Sequence, residues 1–318
     1  MNALGINRLL TQPWFYASAG AILVWLVIVG HSQGAGGGAV VSAALNYSVF
    51  FAVVGLGQML VMASGAGNID LSIPANITLA AYLSTGQMVG SDSGLVAGFV
   101  AGLAGGIAIG AANAFLILAF RIPPMVATLA SGLVVESFTF VYSRISVAKP
   151  SPLLADFTTE RFAGVPYVTL AAIVASVALI VVLRRSLFGR SLFACGQNET
   201  AAWLSGVNVR RTRVAAYVLC GAFTSLAGIL FAGFTGGPSL NMGSEFLLSS
   251  IAVVVIGGTN VAGGQASVLG TWSASLFLFL LLSMLNVLQV GPGLRNVITG
   301  VLIIAVLALN KTNRMQLV

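Results

Sequence analysis

Long apolar runs cut by short polar breaks limit what this chain can become. The runs at 39–64, 94–120 and 268–289 contain no lysine, arginine, aspartate or glutamate. About 20 such residues make an α-helix long enough to cross the hydrocarbon of a bilayer. Only helices and closed barrels satisfy their backbone polar groups there, and runs of this length suit helices. Charged residues make up 7% of the 318 positions. A soluble domain carries about a quarter, because its surface needs them. The sequence therefore predicts an all-α polytopic membrane protein, with one transmembrane domain over 1–318.

Ten spans are expected, at about 15–30, 39–64, 74–88, 94–120, 125–142, 167–183, 214–234, 246–262, 268–289 and 294–309. Eight remain possible if two pairs are re-entrant. The first run has the look of a signal peptide, with Arg8 ahead of it, but is taken as a first span. The segment 143–166 mixes both charge signs and has room for a short interfacial helix. Ten spans put both termini on one side. With the N-terminus in the cytoplasm, Arg8, Arg121, Lys311, Arg314 and six arginines of one long polar stretch fall inside. Outside, Arg144, Lys149, Arg161 and Arg295 are nearly balanced by Asp92, Asp156, Glu160 and Glu245. That bias follows the positive-inside rule. The net charge of +7 is thus assigned to topology and anionic lipid, not to nucleic acid.

The polar stretch is LRRSLFGRSLFACGQNETAAWLSGVNVRRTRV, from Leu183 to Val214. It holds Arg184, Arg185, Arg190, Arg210, Arg211 and Arg213. Between its basic clusters lies a helix signal. Asn198 suits an N-cap, Glu199 suits the positive first turn, and Gly206 suits a left-handed stop. The bland alternative is a basic loop that only fixes topology.

Three other features stand out. The breaks GAGNIDLSIPAN and GGTNVAGGQASVLG are too polar to lie bare in lipid. Their shared pattern hints at internal duplication, or else they are two unrelated tight turns. Asn68, Asp70, Ser72 and Asn76 of the first break are candidate pathway residues. Glu136 stands in mid-span, where a carboxylate costs about 2.5–3.5 kcal/mol by analogy with aspartate and should face protein or a watery path. It is read either as a pathway residue or as a neutral packing residue. Gly94, Gly98, Gly102, Gly106 and Gly110 recur every fourth position, a bare strip for close helix packing.

Catalysis finds little support. No phosphate-binding GxxxxGK[ST] occurs, and no Ser/His/Asp or Cys/His set is available. The single His31 and the cysteines Cys195 and Cys220 offer no metal-ligand spacing.

Three motifs carry a family resemblance. The pattern G-x-x-x-x-A-x-G-x-N-x-x-A-A-x-x-S-G-[IV] matches at Gly189, Ala194, Gly196, Asn198, Ala201, Ala202, Ser205 and Gly206. NIDLSIP matches GG-[IV]-D-L-S-V-G at Ile69, Asp70, Leu71 and Ser72. IGGTNVAGGQASVLGT matches a later glycine-rich motif at Gly257, Gly258, Gly263, Gly264, Ser267, Val268, Gly270 and Thr271. The chain thus resembles permeases of sugar-type bacterial ABC importers, the ribose/xylose/galactose-like group related to branched-chain amino-acid permeases. Asn68, Ile73–Pro74 and Ala266 depart from the motifs and bear on which solute is carried.

The resemblance implies an inner-membrane permease subunit, not itself an enzyme, importing a monosaccharide or related polar solute. It implies a coupling loop at 184–213, with Gly196, Asn198, Glu199, Ala201, Ala202, Ser205 and Gly206 meeting a cytoplasmic ATPase. ATP and Mg would bind that ATPase; this chain would bind no cofactor or metal. A periplasmic binding protein would deliver the solute, and a second permease, identical or related, would complete the pathway. Branched-chain amino acids or a furanose-like signal molecule are alternative cargoes. An ion-coupled secondary transporter using Glu136 is the alternative of another class.

Overall fold

The computed structural model describes residues 12–31 and 37–312. Arg8, Arg314 and most of the expected Gly34–Gly38 turn lie outside the described residues, as do both chain ends. Among the described residues thirteen α-helices run in order: α1 Pro13–His31, α2 Gly37–Ala63, α3 Ile73–Met88, α4 Leu95–Ala119, α5 Pro124–Ser143, α6 Pro152–Thr159, α7 Tyr167–Arg185, α8 Leu187–Gln197, α9 Glu199–Leu204, α10 Val209–Thr235, α11 Phe246–Ile256, α12 Val268–Val287 and α13 Pro292–Thr312. The strands are a two-residue hairpin, β1 Arg161–Phe162 against β2 Val165–Pro166.

Among the described residues, seven helices are long and apolar enough to cross a membrane: α1, α2, α4, α5, α7, α10 and α12. Two expected spans are too short to cross: α3 keeps its expected bounds of about 74–88, and α11 falls short of its expected 246–262. Helix α3 has 16 residues and α11 has 11. At 1.5 Å per residue they rise about 24 and 16 Å, less than the roughly 30 Å of hydrocarbon. The expected span 246–262 stops at Ile256 because Gly258 takes a left-handed φ of 84° and the chain turns away. Conversely, α10 starts at Val209, five residues before the expected 214. Asn208 caps it, its Oδ1 accepting from Arg211 N at 2.9 Å. Arg210, Arg211 and Arg213 therefore ride on helix rather than loop. The interfacial helix expected within 143–166 is α6, capped by Ser151, whose Oγ accepts from Leu154 N at 3.2 Å.

Helices α2 and α10 form the centre. Residues 48–63 of α2 are buried throughout, and α10 packs along α2, α3 and α4. Phe50 of α2 meets Phe231 and Phe234 of α10, with ring centroids 5.0 and 5.5 Å apart. Helix α12 lies against α1, α2 and α11, and Trp272 Nε1 donates to Ser176 Oγ of α7 at 2.8 Å.

The glycine strip lies where α4 meets α3 and α10. A Cβ added at Gly98 or Gly102 would meet the Ser84 or Ala80 carbonyl of α3. One at Gly106 or Gly110 would collide with the Gly221 or Tyr217 carbonyl of α10. Gly94 departs from the expected helix: it closes a 3-10 turn, Asp92–Gly94, and abuts Gln87 and Met88. Gly221 and Gly228 of α10 return the close approach, toward Gly106 and Ile77. Backbones in contact replace side-chain burial as the source of cohesion here.

Candidate functional site

The polar stretch folds as two helices, where one was expected. Ser186 caps α8, its Oγ accepting from Gly189 N at 3.2 Å. Asn198 ends α8 and caps α9, its Oδ1 accepting from Ala201 N at 2.9 Å. Gly206, at a φ of 85°, ends α9, and Val207 N returns to the Ala202 carbonyl at 3.0 Å. The result is a six-residue helix held at both ends by its own sequence.

Its faces divide the residues expected to meet a partner. Asn198, Glu199, Ala201, Ser205 and Gly206 are exposed. Ala202 is turned inward, 4% exposed, packed with Cys195 and Val209. Gly196 is also turned to the body: a Cβ there would collide with the Ala63 carbonyl and the Gly264 amide. Both residues support α9 from beneath instead of offering it outward. The outward face carries two residues absent from the expected set, Trp203 at 67% and Leu204 at 72% exposure. Two large apolar side chains on an otherwise polar stretch were the sequence signal for them.

Beneath α9 the three motifs meet. Gly264 N donates to the Ala63 carbonyl at 3.0 Å, and Gln197 Nε2 donates to the Gly264 carbonyl at 3.4 Å. A Cβ on Gly263 would lie 2.8 Å from Gly65 Cα and 2.9 Å from the Gly196 carbonyl oxygen. Gly263 and Gly264 take φ of 88° and 78°, which glycine alone adopts without strain. Two polar breaks far apart in sequence and the end of α8 thus form one glycine junction.

Behind the junction the first break is buried. Asn68 Nδ2 donates to Ser64 Oγ at 3.0 Å. Asp70 Oδ1 accepts from Ser72 N at 2.9 Å and from Ser72 Oγ at 2.6 Å. Gln58 Oε1 accepts from Asp70 N at 3.2 Å, and the Cys220 thiol of α10 faces the carboxyl. Asn113 Nδ2 of α4 donates to Ser72 Oγ at 2.8 Å, and Ser131 of α5 donates to Asn113 Oδ1. Thr128 of α5 accepts from Leu71 N at 3.0 Å. Asn76 Nδ2 donates to Thr224 Oγ1 at 2.6 Å and to the Gly221 carbonyl at 3.2 Å. The polar groups of the break are thereby satisfied from four surrounding helices, α2, α4, α5 and α10.

Asn68, Asp70, Ser72 and Asn76, the residues expected beside the pathway, are each 4% exposed or less and hold the break together through hydrogen bonds. Glu136 is separate from them. It is exposed on α5 at a cleft of about 240 Å³, whose walls include Thr78, Gly132, Asn241 and Ser244. Gln58, Asn113, Thr128, Tyr217 and Thr224 were missed in the sequence. Each is a polar group within an apolar run, the available signal.

Crossing helices, a polar break sealed inside them and a short capped helix standing outside define an integral-membrane transport permease. A family model described as "Branched-chain amino acid transport system / permease component" matches residues 40–307, and the chain belongs to that family. It is 34% identical over 249 residues to the ribose import permease protein RbsC of Bacillus subtilis, covering 77% of each chain. The Escherichia coli K12 protein of that name is 32% identical over 266 residues, covering 82% of each chain. The galactose/methyl galactoside import permease protein MglC of Haemophilus influenzae is 29% identical over 64% of this chain and 62% of its own. No solved structure matches the chain. The chain is thus a multi-pass inner-membrane permease of the sugar-type ABC importer group.

Proposed function

We propose that this chain is the membrane-spanning subunit of an ATP-driven importer. Its cargo is a monosaccharide or related small polar solute delivered by a periplasmic binding protein. The observation that carries the reading is α9: a capped helix, anchored through Gly196 and Ala202, with Trp203 and Leu204 exposed on its outer face. Exposed aromatic and aliphatic anchors on a rigid element suit a docking groove. That groove belongs to a cytoplasmic ATPase, which binds ATP and Mg; α9 and both chain ends lie on its side of the membrane. Closure of the ATPase pair displaces α9, and differential binding in the two ATPase states biases the spans between inward and outward opening.

A second permease copy or paralogue completes the pathway. Glu136 supports this arrangement. It stands on a face of α5 that also exposes Leu129, Leu133 and Phe140. Lipid is a poor neighbour for that carboxylate, whereas the polar side of a shared passage is a good one. The names of the relatives favour sugars over amino acids as cargo.

The test is uptake in proteoliposomes. With ATPase and binding protein present, uptake of a pentose or hexose should require ATP. Uptake by this chain alone, driven by a proton gradient, would overturn the reading and return Glu136 to an ion-coupled role.

A further inference from the structure

Glu199 and Arg213 form the one salt bridge among the described residues. It is a two-pronged contact: Arg213 Nη1 donates to Glu199 Oε1 at 3.1 Å and Nη2 to Oε2 at 2.6 Å. Glu199 opens α9, and Arg213 stands on the second turn of α10. The arginine is largely covered, its side chain 19% exposed against 55% for Glu199. Its Nε is buried with no partner among the described residues. The guanidinium also lies over the first polar break: a Cβ on Gly65 would sit 3.2 Å from Nη2.

From Arg213 a single face of α10 leads inward. Residues 213, 217, 220 and 224 are spaced by four, three and four, which aligns them along one side of a helix. Tyr217 is fully buried next to Arg213 and Asp70. Cys220 faces the Asp70 carboxyl, and Thr224 is held by Asn76. One stripe therefore touches α9 at its outer end and the sealed break at its inner end. The glycine junction joins the same two regions through backbone, but it reaches α9 only by way of α8.

We infer that Arg213 is a positioning residue that ties α9 to the 64–72 break, so that a displacement of α9 reaches the break through side chains of α10. The inference rests on α9 being the ATPase-docking helix. A pair that merely decorated the surface would matter little, since exposed ion pairs contribute little. A pair that transmits motion would set how tightly ATP consumption is linked to solute movement.

The experiment uses the whole importer in proteoliposomes and measures ATP hydrolysed per solute imported. Glu199→Gln keeps size and shape at an exposed position and removes the charge. It should raise the ratio by about five-fold or more, the low end of ordinary coupling between two sites, with hydrolysis and uptake both counted per ATPase subunit in the complex. Arg213→Lys keeps the charge without the fork and should give an intermediate ratio. An unchanged ratio in both variants overturns the inference. Loss of ATPase subunits from the Glu199→Gln complex also overturns it, because Glu199 would then act in docking itself. The docking reading fails separately, if Trp203→Ala leaves ATPase retention unchanged.

Discussion

Cys195 shows how much one covered side chain can report. It sits under α9 against Ala202 and Val209 and is 2% exposed. Burial pushes its thiol up from the usual cysteine range; the Thr212 hydroxyl and Arg213 pull the other way but are outweighed. The thiolate is the reactive form, so a raised value means less of it at neutral pH. In a Cys220→Ser background, maleimide should label Cys195 more slowly at pH 7.5 than in denaturant, and faster as pH rises. Ala202→Glu, which forces charge into that contact, should expose the thiol and speed labelling. Equal rates in folded and unfolded protein, read by mass spectrometry, would contradict the packing of α9. At this scale the sequence was partly legible. Asn198 and Gly206 were readable as stops because capping chemistry is local. The inward turn of Ala202 was not, because it depends on Val209 and Cys195 arriving from two other helices. Asp70 could be placed in a break, but nothing in its neighbours along the chain pointed to Cys220 or Gln58 across it.

Among elements, α4 is where sequence spacing translated most directly into packing. Glycine at every fourth residue makes a bare face on any helix, so the strip from Gly98 to Gly110 was visible without knowing its partners. Those partners, α3 for the first half and α10 for the second, are a tertiary fact. Gly106→Leu must displace Ser225 and the Gly221 carbonyl, and should cost at least about 1–3 kcal/mol as overpacking. Thermal unfolding in detergent reads this as a lowered midpoint. Gly30→Ala, with open space around a helical glycine, is the control and should leave the midpoint unlowered or slightly raised. Helices α10 and α11 show the opposite case. The start of α10 was hidden because three arginines read as loop, yet a helix continues past the edge of lipid when a cap such as Asn208 begins it. The early end of α11 was hidden because the polar break was legible but the residue at which the helix gives way to it was not, so the expected span ran on to 262. Only the backbone turn at Gly258 marks the exit.

At the scale of the whole molecule, membrane class and helical build followed from charge scarcity and run length. The division into full-length and short helices did not, because run length cannot tell a crossing helix from one that stops at a buried break. That division bears on how the protein is made. Helix α3 rises only about 24 Å and enters through a break carrying Asn68 and Asp70. The groups that satisfy this segment come from residues 113, 128, 221 and 224, so part of its support lies about 150 residues downstream. While the ribosome is still making α8, Asn76 lacks its partners and Asp70 lacks the cover of Cys220. The early segment is therefore expected to stay incompletely packed until α10 emerges. Chains truncated before Val209 should leave an Ile77→Cys probe, which abuts Gly228 of α10, open to a water-soluble thiol reagent, and chains extended through Thr235 should protect it. Equal protection in both would mean that α3 settles unaided. With α10 arriving after α2 to α5 are already made, the polar interior of this subunit becomes dry only when a helix about 150 residues downstream closes over it.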